Sequence, residues 1–258
     1  MELIVTGFHR SGTSMVTQLL HRAGLFVGED LIGAMPSNPY GHFEDREVLA
    51  IHRGILEDNA ADWTVADSFP FFIRKERWRE MADLVARRQT RYPTWGFKDP
   101  RACLFLGAWK HLLPDSRFIF IYRPPSDCIR SLERRQAGEY VNSRGPRRSH
   151  LRFFRQPDQG LKMWNLYNRH LIAFARTIID DCLVLPFERV SAGYPLIRAV
   201  NRRFGIGLDE VPTEAVFDPA VVTGSRRAVP AYGARVRARV PETWRNLEEL
   251  ARMTEVHL

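Results

Sequence analysis

Short continuous apolar runs alternate along the chain with longer stretches in which apolar residues recur at helical spacing. The first run, residues 3–5, predicts a buried strand, and a polar segment bounded by glycines follows it at residues 7–14. The helical spacing then begins at Met15, Val16, Leu19 and Leu20, and Gly24 ends it as a C-cap. The chain therefore opens with a strand, a tight loop and a helix.

The same order of elements returns further along the chain. We expect strands at residues 94–98, 118–122 and 183–187, and helices at residues 104–113, 126–135, 161–179, 196–204 and 242–253. The second of these strands shows no polar alternation, which is typical of a parallel strand covered on both faces. Strands that alternate with helices predict an α/β fold in three layers, with a central, mostly parallel sheet.

The connections between the predicted elements are short, so we expect a single domain over residues 1–258. One segment differs from the rest. Residues 138–156 are rich in Arg, Ser, Gly and Asn and show little periodicity, which predicts a mobile loop.

Composition narrows the class of protein. With 258 residues, 45% apolar and 26% charged, the chain is neither disordered nor a collagen or coiled coil. The formal net charge is +8, and nearly all of the 38 cationic residues are arginines. Because the planar guanidinium fork suits phosphate and sulfate, we expect an anionic ligand. Charge alone leaves open a merely basic protein or a nucleic-acid binder.

The three cysteines, Cys103, Cys128 and Cys182, are widely spaced and have neither a CxxC pair nor metal-ligand spacing. This low, odd count favours a reducing compartment. The N-terminus does not have the pattern of a signal peptide, and no run of about 18 apolar residues occurs. We therefore expect a cytoplasmic protein without a membrane span.

The segment at residues 7–14 has the features of an anion-binding loop. Gly7 and Gly12 are separated by four residues at the junction between the predicted strand and helix. The first N–H groups of a helix have no helical partner and carry partial positive charge, so they attract anions. The loop adds hydroxyls and one cation, at Arg10, Ser11, Thr13 and Ser14.

This loop differs from that of the nucleotide triphosphatases, whose pattern is GxxxxGK[ST]. Thr13 stands at the lysine position, and the strand at residues 118–122 ends in Arg123 instead of an aspartate that would hold a metal. The residues therefore predict an anion that is bound without Mg²⁺, and no metal site.

A second anion site is predicted after the strand at residues 118–122. Arg123 lies at the carboxyl end of this strand, where ligands bind in such sheets, and Ser131 lies about two helical turns further on. A guanidinium and a hydroxyl together suit a phosphate. The alternative is that Arg123 pairs with a surface acid and Ser131 merely packs.

Several motifs resemble those of sulfotransferases that use 3′-phosphoadenosine 5′-phosphosulfate (PAPS). Residues 7–14 (GFHRSGTS) resemble their 5′-phosphosulfate loop, and Tyr122-Arg123-Pro124 with Ser131 resembles their 3′-phosphate motif. Residues 38–45 (NPYGHFED) and 96–101 (GFKDPR) resemble the bacterial-type members. The motifs occur in family order over roughly residues 3–135, and the match continues faintly through residues 164–167 and 185–190.

The resemblance implies a sulfuryl transfer from PAPS to a hydroxyl of a carbohydrate or small natural product, leaving 3′-phosphoadenosine 5′-phosphate (PAP). It implies that the nucleotide is bound by Arg10, Ser11, Gly12, Thr13, Ser14, Arg123 and Ser131. Residues 223–227 loosely resemble the family's late basic loop, which would add Arg226 and Arg227 at the 3′-phosphate; the alternative is a solvated surface loop. Many cytosolic members have lysine where this chain has Arg10. Arginine keeps the charge on the leaving phosphate compensated but does not donate a proton.

The resemblance also implies catalytic roles. Lys98 would face the sulfuryl oxygens, and Glu44 is the first candidate for the base that takes the acceptor's proton, with His42 second. Asp45 and Asp99 remain further candidates. An acid in the first turn of a helix is also a common partner of the helix dipole.

Other readings stay open at this point. The enzymatic alternative is a P-loop kinase or another nucleotide-dependent phosphotransferase. The acceptor would be a small molecule or glycan and not a nucleic acid, and the sequence names neither the acceptor nor the oligomeric state. Two groups of side chains have two interpretations each. Either a ligand pocket or the core contains the aromatic residues Phe153, Phe154, Trp164 and Tyr167. Either an acidic acceptor or only solvent contacts the basic residues Arg144, Arg147, Arg148, Arg152 and Arg155.

Overall fold

A computed structural model of the protein describes residues 1–34, 41–68, 70–142, 151–153, 155–216 and 237–258. Within these ranges, four strands form one all-parallel sheet in the order β2-β1-β3-β4. The strands are β1 (Glu2–Thr6), β2 (Trp95–Lys98), β3 (Arg117–Tyr122) and β4 (Cys182–Pro186). The helices are α1 (Thr13–Arg22), α2 (Arg46–Asp58), α3 (Lys75–Arg91), α4 (Leu106–Leu112), α5 (Pro125–Val141), α6 (Gln159–Ala175), α7 (Phe187–Ser191), α8 (Leu196–Phe204) and α9 (Val240–Met253).

The two faces of the sheet carry separate cores because successive strand residues point to opposite sides. On one face, Ile4, Phe118 and Phe120 pack with residues of α2, α3, α4, α6 and α9. On the other face, Val5 and Ile119 pack with residues of α1 and α8. The predicted three-layer α/β fold is confirmed.

The strand order creates a crevice above the middle of the sheet. The chain passes from β1 to β2 on one side and then crosses to β3 on the other side of β1. In open α/β sheets, ligands bind at the carboxyl ends of the strands where the order reverses in this way. The residues that follow β1 and β3 are therefore in the favoured position for a ligand site.

The helices depart from the predicted ones in a few places. The helix predicted at residues 104–113 is a 3₁₀ helix at Pro100–Leu104 followed by α4. The helix α3 was not predicted, because only four of its positions are buried and its apolar pattern is weak. Phe187 begins α7 and does not end β4.

The first residues of the loop predicted at residues 138–156 are helical, because α5 continues to Val141. Arg135 and Glu139 pair at 2.6 Å one turn apart, which supports the helix through a stretch with few apolar residues. Residues 151–153 and 155 are helical, whereas residues 143–150 and 154, with Arg144, Arg147 and Arg148, lie outside the described residues. No helix in the described ranges is long and apolar enough to cross a bilayer.

Candidate active site

The loop after β1 is the first predicted anion site, and its residues Arg10, Ser11, Gly12, Thr13 and Ser14 are called the first anion cradle below. Gly12 begins α1 with a φ of +93°, and no side chain caps the helix start. A Cβ at this position would lie 2.1 Å from the Phe187 ring, so only glycine fits. The first turn of α1 contains no acidic residue. Its N–H groups and the positive end of the helix dipole therefore favour an anion.

Arg10 connects this loop to α5. Its Nε donates a hydrogen bond to Ser131 Oγ at 2.9 Å. Burial, together with the positive charges of Arg135 and Arg123, lowers the pKa of Arg10 to about 10, so the guanidinium remains charged at neutral pH. Its backbone has a φ of +68°, an uncommon conformation for a residue with a side chain. Phe43 in the GHFED stretch has a φ of +51°, so both segments predicted to carry the chemistry contain such a residue.

Arg123 and Ser131 are the second predicted anion site, which is called the second anion cradle below. The Arg123 side chain is only 13% exposed, and its guanidinium carbon lies 4.7 Å from the centre of the Phe187 ring. Asp127 is its acidic neighbour, with 3.7 Å between Nε and Oδ2. Among the described residues, no group accepts a hydrogen bond from the buried Nε of Arg123. The structure thus holds a buried cation in place and leaves one of its donors unused.

Phe187 brings the two cradles together. It follows β4, whose last residue is in register with Tyr122 of β3, and so it lies beside Arg123. One part of its ring packs on Gly12 and its face stacks on Arg123. The guanidinium of Arg123 therefore lies on the same aromatic ring that covers the glycine loop. Sequence reasoning missed this role, although the position of Phe187 directly after a parallel strand was a usable signal.

A buried charge cluster lies on the other side of the loop and consists of Glu44, Lys98, Asp99 and Arg101. Lys98 ends β2 and donates to Glu44 Oε1 at 2.8 Å. Arg101 Nη1 donates to Asp99 Oδ1 at 2.8 Å and lies 3.5 Å from Glu44 Oε2. Burial alone would raise the pKa of Glu44, but the charges of Lys98 and Arg101 hold it below its usual value. Glu44 is therefore a carboxylate at neutral pH.

Two neutral histidines lie near Glu44. Burial lowers the pKa of His42 to about 4, against the opposing charge of Glu44, and burial with the charge of Arg101 lowers that of His9 to about 3. Within the described ranges, neither Nε2 atom has a hydrogen-bond partner. Ser14 Oγ donates to the His42 carbonyl at 3.0 Å and so ties this segment to the first anion cradle. Two uncharged imidazoles thus offer unused ring nitrogens at the site.

A family model described as "Sulfotransferase family" matches residues 2–206, about four-fifths of the chain. The chain belongs to the sulfotransferase family. A comparison with curated proteins found no match. The matched range contains both anion cradles and the buried charge cluster. The chain is therefore a transferase that moves sulfuryl groups.

Two of the predicted base candidates, Asp45 and Asp99, accept hydrogen bonds from neighbouring groups. Asp45 caps α2 by accepting from the Glu47 N–H at 2.8 Å, and it pairs with Arg88. Asp99 accepts from the Arg101 N–H at 2.9 Å and is buried. Glu44 and His42 remain as candidates for the base.

Some of the remaining predicted residues are buried, and others lie outside the described residues. Ser11 and Thr13 are buried, with Ser11 Oγ 3.5 Å from Cys128 Sγ. The aromatic residues Phe153, Trp164 and Tyr167 are buried in the core, while Phe154, Arg226 and Arg227 lie outside the described residues. In the part of the chain that the structure describes, no group of three or more acidic, His or Cys side chains could hold a metal.

Sequence reasoning also did not identify His9 and Arg101, which lie beside Glu44 in the candidate site. Both lie inside the motifs that carry the family resemblance, GFHRSGTS and GFKDPR. Their position within these motifs was the available signal, but their contacts join segments that are distant in the sequence.

Proposed function

We propose that this sulfotransferase uses PAPS as donor and transfers its sulfuryl group to a hydroxyl of a carbohydrate or small natural product. The supporting observation is the pair of anion cradles at the carboxyl ends of β1 and β3, joined by the Arg10–Ser131 hydrogen bond and by Phe187. PAPS carries anionic groups at the 3′ and 5′ positions of one adenosine. Two adjacent cationic sites suit this arrangement better than a single phosphate loop does.

In this proposal the first anion cradle binds the 5′-phosphosulfate, and Arg123 with Ser131 binds the 3′-phosphate. The unused Nε donor of Arg123 supports this assignment, because a buried donor without a partner costs about 1–3 kcal/mol and a phosphate oxygen would satisfy it. The resemblance adds Arg226 and Arg227 as further contacts to the 3′-phosphate.

By analogy with phosphoryl transfer, catalysis of sulfuryl transfer depends mainly on positioning the donor and acceptor and on stabilising the charge that develops in the transition state. The bond between sulfur and the 5′-phosphate oxygen breaks while a bond between sulfur and the acceptor oxygen forms. Arg10 and the start of α1 stabilise the charge that develops on the leaving phosphate. Burial lowers the pKa of Arg10 to about 10, which still leaves the guanidinium charged at neutral pH, so this residue stabilises the leaving phosphate by its charge.

Glu44 takes the proton of the acceptor hydroxyl, and Lys98 stabilises the sulfuryl oxygens. The support is that Glu44 is ionised and in direct contact with Lys98 at 2.8 Å, whereas Asp45 and Asp99 are engaged elsewhere. The contact with Lys98 makes Glu44 a weak base, so a sulfuryl group that draws Lys98 away would strengthen it. His42, uncharged and with an unused Nε2, is the second candidate.

The cytoplasmic location expected from the sequence belongs to the same proposal. The three cysteines are buried and form no disulfide, which agrees with a reducing compartment.

Three measurements test this function. Calorimetric titrations of PAP and ATP, each with Mg²⁺ and with EDTA, should show PAP binding tightly and independently of Mg²⁺. Tighter binding of Mg²⁺–ATP would favour the phosphotransferase instead. Transfer of label from [³⁵S]PAPS should then be measured with glucose, N-acetylglucosamine and 4-nitrophenol as hydroxyl probes. A filter-binding series with RNA whose affinity falls steeply with salt would favour a nucleic-acid binder.

A further inference from the structure

A row of buried polar side chains connects α2 to the candidate base. Trp109 Nε1 donates to His52 Nε2 at 2.8 Å, and His52 Nδ1 lies 2.8 Å from Asp99 Oδ2. An indole N–H can only donate, so the Nε2 of His52 must be the acceptor. The ring proton therefore sits on Nδ1 and is donated to Asp99, and His52 is a neutral imidazole with 0% exposure.

The row continues from Asp99 to Glu44. The other carboxylate oxygen of Asp99 accepts from Arg101 Nη1 at 2.8 Å, and the same Nη1 lies 3.5 Å from Glu44 Oε2. Thr6 donates to the Asp99 carbonyl at 2.8 Å and fixes it to β1. With His52 neutral, the two carboxylates and two cations of the buried charge cluster balance. The contact between Arg101 and Glu44 is the longest in the row and thus the easiest to lose.

We propose that His52 is a positioning residue that acts through Asp99 and Arg101 to hold the carboxylate of Glu44 in place. This inference rests on the proposed role of Glu44 as the base. His52 touches neither Glu44 nor the anion cradles through any hydrogen bond of the described structure.

His52 provides the hydrogen bond that satisfies the Oδ2 atom of Asp99. Without the histidine, this Oδ2 would become a buried carboxylate oxygen without a donor, which is costly. Arg101 has a buried Nε that no described residue accepts from, so it can turn to bind Asp99 with two donors. That rotation removes Arg101 from Glu44, which is then held by Lys98 alone.

The test compares four variants with the wild type. His52→Leu removes the donor. His52→Asn places an amide N–H near the position of Nδ1, whereas His52→Gln places it near Nε2. Ile55→Ala, a buried apolar residue on the same helix, serves as the control for lost stability. Activity is measured with [³⁵S]PAPS and the hydroxyl probe that reacts fastest, and nucleotide binding is measured with PAP.

We expect His52→Leu and His52→Gln to lower kcat about 10- to 100-fold, as substitutions of supporting residues commonly do, with PAP affinity changed less than about two-fold. His52→Asn should recover most of the activity, and Ile55→Ala should keep kcat per folded molecule. Equal kcat values in the Leu, Gln and Asn variants and the alanine control would overturn the inference.

A second readout is independent of activity, so it separates this inference from the proposed function. The carboxyl carbon of Glu44 is titrated by ¹³C NMR and assigned with Glu44→Gln. The groups that face Glu44 are Lys98, Asp99, Arg101, His9 and His42. Loss of Arg101 from Glu44 should move its titration to higher pH in His52→Leu and His52→Gln but not in the other two variants. An unchanged titration in all four would overturn the inference, even in a protein that transfers no sulfuryl group.

Discussion

Replacement of Arg123 by alanine is the sharpest perturbation of nucleotide binding. The substitution removes a guanidinium that is 13% exposed, stacked on Phe187, and has an Nε without an acceptor in the described structure. If this group binds the 3′-phosphate, its loss should strongly weaken the binding of PAP. The affinity for adenosine 5′-phosphate, which lacks the 3′-phosphate, should remain nearly unchanged.

The magnitude follows from the character of the contact. A hydrogen bond between charged partners contributes about 1.5–3 kcal/mol, and the low exposure of Arg123 limits screening by solvent. Since about 1.4 kcal/mol corresponds to a tenfold change in affinity, the dissociation constant of PAP should rise about 10- to 150-fold. Arg123→Lys should fall in between, because lysine keeps the charge but not the planar fork.

The assay is isothermal calorimetry with PAP and with adenosine 5′-phosphate. The control is Arg176→Ala, which removes the same charge from a side chain that is 50% exposed and pairs with Glu249 at 3.3 Å. In this control, the dissociation constants of both nucleotides should stay within about two-fold of the wild-type values, since exposed ion pairs contribute little free energy. Equal losses for the two nucleotides in Arg123→Ala, or no loss for PAP, would refute the assignment of Arg123 to the 3′-phosphate.

Three further predictions concern the catalytic group, the loop and the buried histidines. Glu44→Gln should lower kcat about 100- to 10,000-fold in the [³⁵S]PAPS assay and leave PAP affinity unchanged; unchanged turnover would place the base elsewhere. Gly12→Ala should destabilise the fold by at least about 1–3 kcal/mol in urea titrations, because its φ is +93° and its Cβ would overlap Phe187; a neutral effect would contradict the described packing. His9 and His42 have pKa values lowered to about 3 and about 4, so between pH 6.5 and about 4 they bind protons mainly when the chain is unfolded. The free energy of unfolding should therefore fall between pH 6.5 and 4, by up to about 1.4 kcal/mol per pH unit for each histidine, and His9→Phe should reduce this fall in urea titrations over that range.

The layered fold was predictable because its strands are short apolar runs without polar alternation. Residues 118–122 are apolar throughout and lie between predicted helices in the sequence, which indicates a buried parallel strand. The helix α3 escaped prediction because most of its positions face solvent, so packing of a few residues such as Met81 and Leu84 decides its formation. The extension of α5 to Val141 likewise depends on the Arg135–Glu139 pair and not on an apolar pattern.

The candidate site was predictable where its residues lie together in the sequence. The glycine loop and the position of Arg123 after a strand follow from local patterns. The position of Phe187 directly after a parallel strand was also a local signal, but its contacts with Gly12 and Arg123 join distant segments. No local pattern identified His52, because it acts through contacts between segments far apart in the chain. His52 is joined to Asp99 only by the packing of α2 against the end of β2.

A crystal structure of the protein with PAP is the most direct measurement of the central claim that two anion cradles bind one nucleotide. We predict that the 5′-phosphate lies at the N–H groups of Gly12, Thr13 and Ser14, and that the 3′-phosphate lies within hydrogen-bond distance of Arg123 and Ser131. A PAP molecule whose 3′-phosphate lies away from Arg123, or whose 5′-phosphate avoids the start of α1, would contradict it.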